Sequence, residues 1–428
     1  MREIVRGASI SFVVRVAGAA VALSFNIALA RILGTDGTGL YFLALTVVTV
    51  AVAVGRLGLD NVLLRLTAAS ASQKEWSRLA GVYRTGIGTA LVSSMTVAAV
   101  VFVAAPWISE VLFSKPALTR PLRWMSLAIL PVVLTFLYSE LLKGLKRILN
   151  SQLVRGIAIP GLSLVFLLLF GRRSGLLGAV WAYIAATCMA ALVGLWLWRS
   201  ATPQLREGRQ DCRPGELLDS SLPLLWVALL SLVMGQTSTV LLGIWRTSSE
   251  VGIYSVATRT AILTSFIMVA VNSIAAPKFA ELHNRGDTRA LASTAQQSAR
   301  MMLLLASPPF LLFVTFPSRV MSIFGSDFGS GGIVLAILAF GQFVNVATGS
   351  VGNLLMMSAH ERATRNLIIA AATLNVALNV LLIPPFGLHG AAVATSISLV
   401  AHNIALTVFV RRLLGIRVFE WAVPRAFR

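Results

Sequence analysis

The sequence predicts an all-α, polytopic membrane protein, with about twelve transmembrane helices in two six-helix lobes related by an internal repeat. Composition carries the first part. Of 428 residues, 57% are hydrophobic and only 12% are charged, about half the share of a soluble domain. No soluble fold of this length could hide so much apolar surface. Run length carries the second part. Twelve apolar stretches are long enough to cross a hydrocarbon core of about 30 Å, and none alternates with the period of two that a membrane barrel needs. The third part is self-similarity. Gly39-Leu40-Tyr41 returns as Gly252-Ile253-Tyr254, and Gly175-Leu176 with Gly178-Ala179 returns as Gly387-Leu388 with Gly390-Ala391. The two offsets agree to within one position and come to half the chain, so one half repeats the other. A duplicated bundle is how alternating-access transporters are built, with the substrate path between the halves.

In the first half the runs fall near residues 8–29, 39–60, 82–104, 122–142, 153–170 and 175–198. In the second they fall near residues 221–245, 251–276, 300–317, 331–357, 366–383 and 388–410. The first run imitates a secretory signal, with basic residues before it and Ala28-Leu29-Ala30 at its end. Its apolar part is too long for one, however, and is interrupted by Arg15, so it reads as an uncleaved helix. A tight hairpin at residues 171–174 separates the fifth and sixth runs. The most polar stretch, with Arg199, Arg206, Glu207, Arg209, Asp211 and Arg213, links the sixth to the seventh. The chain therefore divides into an N-terminal lobe (residues 1–200), a cytoplasmic linker (201–219), a C-terminal lobe (220–412) and a cytoplasmic tail (413–428). An even number of helices per lobe sets the pseudo-two-fold along the membrane normal.

Orientation follows from the basic residues. With the N-terminus inside, cytoplasmic segments hold 23 of the 36 Lys and Arg, outside segments hold 7, and 6 lie within or at the edges of helices. Both ends are thus expected in the cytoplasm. The net charge of +20 belongs to short loops flanking helices. It reads as topogenic charge in contact with anionic membrane lipids rather than as a nucleic-acid surface. Cys188 and Cys212 imply neither a disulfide framework nor a metal site, and the four histidines lie too far apart in sequence to suggest one. There is no glycine-rich phosphate loop, no Ser-His-Asp grouping and no paired carboxylates, so the sequence makes no case for an enzyme or a cofactor.

Charges inside the membrane are the functional candidates, because an Arg at mid-helix costs about 2.5–3.5 kcal/mol even on the lenient insertion scale. Arg84, Arg123 and Arg155 lie within a turn of expected helix ends, where they can snorkel to the interface. Arg56 stands four residues before Asp60, which allows an ion pair; a structural pair and a pathway charge are both open there. Arg15 and Arg259 lie about two turns into their helices, with no acidic residue on the same helix to pair with. Arg15 shares a face with Gly18, Ala22 and Asn26, a stripe that suits a water-filled cavity or close helix packing. Arg259 stands beside a stripe of Tyr254, Thr258, Ser265 and Asn272. A cationic cavity would attract an anion, and the planar fork of Arg suits phosphate. The alternatives for both arginines are headgroup contact or helix–helix hydrogen bonding. Apart from Asp60 at the very end of the second run, Glu140 is the one acidic residue placed inside a run; it is a candidate coupling group, with a local pair to Lys143 as the simpler reading. Gln236, Gln342, Asn345, Asn375 and Asn379 read as polar glue between helices.

Several segments resemble a known family. Ala30-Arg31-Ile32-Leu33-Gly34, then Gly39-Leu40-Tyr41, then Leu57-Gly58-Leu59-Asp60 resembles the N-terminal signature of Wzx-type oligosaccharide flippases. These belong to the multidrug/oligosaccharidyl-lipid/polysaccharide exporter superfamily. Val251-Gly252-Ile253-Tyr254-Ser255-Val256-Ala257 and Ala276-Pro277-Lys278-Phe279-Ala280-Glu281-Leu282 are similar to the second-half counterpart. The run from Leu354 to Arg362 and the segment Leu382-Ile383-Pro384 through Gly390-Ala391-Ala392 complete the likeness, which covers most of the chain. It implies two helical lobes that carry a polyprenyl-diphosphate-linked oligosaccharide from the inner to the outer leaflet of a bacterial or archaeal cell membrane. It also implies work beside a polysaccharide polymerase machinery. Relatives that flip the lipid-linked peptidoglycan precursor carry cavity arginines in helices 1, 2 and 8, where Arg15, Arg56 and Arg259 stand here. Those relatives have fourteen helices, against twelve expected here, which sets this chain's substrate apart from theirs.

Two competitors stand beside that reading. A cation-coupled multidrug exporter of the same superfamily would need membrane-embedded carboxylates, for which Glu140 is the sole candidate. A polysaccharide polymerase or ligase would need a large external loop, and the longest outside segment, near residues 105–121, is short for one.

Overall fold

The computed structural model describes residues 2–206, 214–358 and 361–416. Linker residues 207–213, with Cys212 among them, and the tail from residue 417 lie outside them. Among these residues no strand occurs, and ten segments are long and apolar enough to span a membrane. Two of the ten, Val14–Arg56 with 43 residues and Ala363–Leu414 with 52, are about twice the length one crossing needs. Each is broken at a glycine with positive φ, Gly34 (φ 65) and Gly387 (φ 56). Phe25 and Tyr41 stand sixteen positions apart, yet their rings meet edge to face at 6.3 Å. A straight helix would part them by about 24 Å. A methyl group built on Gly390 would overlap the carbonyl oxygen of Leu382, so the chain folds back there as well. Both segments are helical hairpins.

Among the described residues twelve long helices result, numbered in chain order: α1 (residues 2–33), α2 (35–72), α3 (Trp76–Leu112), α4 (Pro116–Gly144), α5 (Ile148–Gly171), α6 (Ser174–Ala201), α7 (Pro214–Trp245), α8 (248–284), α9 (Thr288–Thr315), α10 (Ser326–Met357), α11 (361–386) and α12 (388–414). Several run past their expected ends. Hydropathy marks the stretch inside hydrocarbon, whereas backbone hydrogen bonding continues through polar flanks such as 63–72 and 277–284. The α5–α6 turn sits at Gly175, just beyond the expected 171–174. α2 breaks at Leu57 and Gly58, both at positive φ, and α8 tightens into a 3₁₀ turn over Ile262–Ser265.

The repeat is visible in backbone geometry. Gly175 (φ 54, ψ −134) and its repeat partner Gly387 (φ 56, ψ −132) adopt the same conformation. Between α2 and α3, the N–H groups of Gln73, Lys74 and Glu75 donate to the carbonyls of Ala69, Ala71 and Ser70. Between α8 and α9, those of Arg285, Gly286 and Asp287 donate to Glu281, His283 and Leu282, the same ladder at the same offset. Side chains follow suit. Tyr41 meets Tyr183 edge to face at 6.5 Å, and its counterpart Tyr254 shares a 2.9 Å hydrogen bond with Thr395, the counterpart of Tyr183.

Only glycine takes this hairpin conformation without strain, since Cβ in the left-handed half of the map costs about 1–2 kcal/mol. Gly175→Ala and Gly387→Ala should therefore each lower stability by at least about 1 kcal/mol, and by equal amounts because the geometry is equal. Thermal unfolding of the detergent-purified protein checks this; a loss at one site alone would break the equivalence.

Two compact units form, residues 1–252 and 253–428. α7 goes with the first unit because it packs along α2. A methyl on Gly58 would overlap the carbonyl oxygen of Ser221, and Thr46 donates to Gln236 at 3.2 Å. Gln236 thus holds helices together, as its type suggests. At the opposite end of α7, Lys115 in the α3–α4 turn donates to the carbonyls of Gly243 and Phe113. Burial lowers its pKa, and nearby Glu250 partly offsets the effect. The first unit buries Leu29, Leu59, Leu63, Leu79, Leu122 and Trp198. The second buries an apolar cluster of Val271, Phe279, Leu291, Met302, Val346, Leu355 and Val410. Large apolar side chains such as Val103, Trp196, Trp226, Leu304 and Leu381 point outward, as lipid-facing residues do.

Candidate functional site

The first unit holds a network of charges built from α2, α4 and α5. Arg56 closes the first segment of α2, and the break at Leu57-Gly58 is followed at once by Asp60, with which it forms an ion pair. Both side chains are mostly buried, at 15% and 22% exposure. The Arg56 guanidinium lies 4.5 Å over the ring of Phe136 in α4. One turn on from Phe136, Glu140 is buried and accepts from Lys143 at 2.6 Å and from Arg155 in α5 at 3.2 Å. Arg155 also lies over the Phe136 ring, at 4.3 Å. Two guanidinium groups therefore share one aromatic ring, an arrangement worth about 0.5–2 kcal/mol per contact.

Three cations face two carboxylates, a surplus of one positive charge. Arg56 Nε and Asp60 Oδ1 are buried without a hydrogen-bond partner, so the ion pair leaves polar capacity unused. Arg155 comes from a π-helical stretch, Leu153–Ala158, a winding that often marks functional positions.

The second half does not repeat this chemistry. Arg56 and Asp60 in α2 correspond to Val269 and Ser273. Phe136, Glu140 and Lys143 in α4 correspond to Thr348, Gly352 and Leu355, and Arg155 in α5 to Leu367. None of these counterparts is charged, and Leu355 and Leu367 belong to the apolar packing of the second unit. One scaffold is used twice, and its charge is built into one copy.

The arrangement completes some sequence expectations and changes others. The Arg56–Asp60 and Glu140–Lys143 pairs both form. Glu140, considered for coupling, is engaged by two cations. Arg155, read as a snorkelling residue near a helix end, lies two turns inside α5 and is turned to Glu140 and Phe136. The signal that could have found it was the lone acid on α4 facing a lone base on α5, but only a known register of the two helices connects them. Arg15 is exposed, and one turn on Gly18 packs against α5, a methyl there falling 2.8 Å from the carbonyl oxygen of Gly156. Asn26, on the same stripe, is buried. The Gly18 end of the stripe is thus packed against a helix.

In the second unit Arg259 is exposed on α8 and Thr258 half-buried, its hydroxyl oxygen enclosed without a hydrogen-bond partner. Ser265 donates to Ile262 O in its own helix at 2.9 Å, and Asn272 accepts from Ser350 at the break in α10. Each of those two residues makes a contact within the second unit.

The family model for polysaccharide biosynthesis proteins matches residues 4–283, well over half of the chain. The chain belongs to the polysaccharide biosynthesis protein family. It is 30% identical over 165 residues to the probable low-salt glycan biosynthesis flippase Agl15 of Haloferax volcanii, a match covering 38% of this chain and 35% of that one. The matches span 35% to 50% of the length of the curated relatives. Solved structures agree on the fold of this family member. The lipid II flippase MurJ, in an inward closed conformation, superposes with a TM-score of 0.76 over 94% of this chain and 87% of MurJ, at 12% identity. An inward-facing multidrug resistance MATE family transporter of the MOP superfamily gives 0.73 over 94% and 98%, at 15% identity. At such identities the likeness establishes the transporter fold.

Proposed function

We propose that this polysaccharide biosynthesis family member is a flippase. It moves a polyprenyl-diphosphate-linked oligosaccharide from the cytoplasmic to the outer leaflet by alternating access, for cell-surface glycan assembly. The observation that carries the proposal is the surplus of positive charge around Arg56 and Arg155 inside one membrane-spanning half, in a transporter fold with a glycan-biosynthesis flippase among its relatives. An arginine fork matches a diphosphate. In this reading Arg15, Arg56 and Arg259 neutralise the diphosphate, and the prenyl tail stays in lipid. A negative cell interior favours outward movement of an anion by about 2.3 kcal/mol per charge per 100 mV, so the membrane potential is one available drive, with ion antiport the other. The engagement of both Asp60 and Glu140 by cations weighs against a cation-coupled drug exporter, which needs a carboxylate open to its substrate.

The test is the leaflet distribution of lipid-linked glycan in cells lacking this protein, complemented by wild type or by Arg259→Ala. Glycan should accumulate at the cytoplasmic face, and only wild type should restore its export. Glycan that reaches the outer leaflet but stays unpolymerised would identify a polymerase or ligase instead. An unchanged distribution would turn the reading to drug export.

A further inference from the structure

We infer that Arg155 is a second phosphate-binding residue, at which the carboxylate of Glu140 occupies the place of the substrate's phosphate until the substrate displaces it. The inference rests on the flippase reading and adds to it a residue and an exchange.

Four observations support it. Arg155 carries five N–H donors and uses one, a 3.2 Å bond to Glu140, while 46% of its side chain is exposed. An incoming anion therefore finds open donors on a group already oriented. Secondly, Glu140 is held more closely by Lys143, at 2.6 Å. When Arg155 turns to another anion, Glu140 stays neutralised, so the exchange strands no buried charge, which is the costly outcome. Thirdly, Arg155 and Arg56 lie over one apolar ring, 4.3 and 4.5 Å from the Phe136 centroid. Two like charges sharing one ring repel, and a doubly charged phosphate group bound beside them relieves the repulsion. Finally, the corresponding positions of the second half are uncharged, so the cluster is not something the repeated scaffold needs in order to fold.

A merely structural salt bridge and an exchangeable site differ in the sign of one effect. If Glu140 competes with the ligand, removing its charge tightens binding. If it only braces the helices, removing its charge loosens the protein and weakens binding.

The experiment uses the full-length protein in nanodiscs of neutral lipid. Geranylgeranyl diphosphate is the probe, with geranylgeraniol, inorganic diphosphate and phosphatidylglycerol as comparison ligands. Arg155→Ala should weaken geranylgeranyl diphosphate binding at least tenfold and leave geranylgeraniol unaffected, with Arg155→Lys in between. Glu140→Gln should tighten diphosphate binding several-fold, and it tests the exchange even if Arg155→Ala does not fold. Inorganic diphosphate binding with the same dependence on Arg155 would mean that the phosphate alone suffices. The same dependence for phosphatidylglycerol would assign the site to lipid headgroups. Weaker binding in Glu140→Gln, or wild-type affinity in both variants, overturns the proposal. If wild type binds and flips the prenyl diphosphate while ignoring both substitutions, this site falls and the flippase reading stands. If wild type binds no prenyl diphosphate, both fall together.

Discussion

Arg56→Ala should abolish glycan transport and lower stability by about 3–5 kcal/mol, and adding Asp60→Ala should restore the stability without the transport. The expectation follows from burial. Arg56 and Asp60 are 15% and 22% exposed and form an ion pair across the break in α2. Removing the guanidinium leaves a carboxylate enclosed and without its counter-charge, the situation in which a broken buried pair is most costly. Removing both charges together costs far less, because the lost attraction is matched by a desolvation penalty that no longer applies. The double variant should therefore melt close to wild type. Transport answers a different question. If Arg56 only balances Asp60, the uncharged pair flips glycan normally; if it meets the diphosphate, stability returns and flipping does not. The two readouts, thermal unfolding and leaflet distribution, must separate in the double variant. Their joint recovery would reduce Arg56 to a structural residue and leave Arg155 as the cation to explain.

How far the sequence could lead depends on the kind of constraint. The repeat was legible at Gly175 and Gly387 because a fold-back turn admits almost no other residue, and at Gly39 and Gly252 because two backbones meet there. Helix number was legible because hydrocarbon thickness sets a minimum run. Helix ends were not, since backbone hydrogen bonds continue past the apolar stretch, as in residues 63–72. The Arg56–Asp60 and Glu140–Lys143 pairs were legible because both members share one helix, where spacing alone brings them together. Arg155 was missed because its partners, Glu140 and Phe136, stand on another helix, and no spacing rule reports the register between two helices. The link of Asn272 to Ser350 of α10, which donates to it, was hidden for the same reason.

Gly39→Ala and Gly252→Ala should have one shared effect, and the double variant should lose little more than either single one. The contact between these residues is reciprocal. A methyl on Gly39 would overlap the carbonyl oxygen of Ser248, and one on Gly252 would overlap that of Thr35. Thr35 and Ser248 stand at the same offset in sequence as the two glycines, so the repeat meets itself at this point. The obstructing atoms are backbone, which cannot rotate aside as a side chain does, and the starts of α2 and α8 must separate to admit either methyl. Overpacking of this kind costs about 1–3 kcal/mol. Once one methyl has forced the separation, the second finds room already made, and the two losses do not add. Gly88→Ala is the control. It lies inside α3 with nothing within 4 Å of a built methyl, and a helix-interior alanine there should be neutral or stabilise by up to about 1 kcal/mol. Fluorescence-detected unfolding of all four variants checks the stabilities. Additive losses for the two glycines, or a Gly39→Ala protein as stable as wild type, would mean that α2 and α8 do not meet here in the membrane.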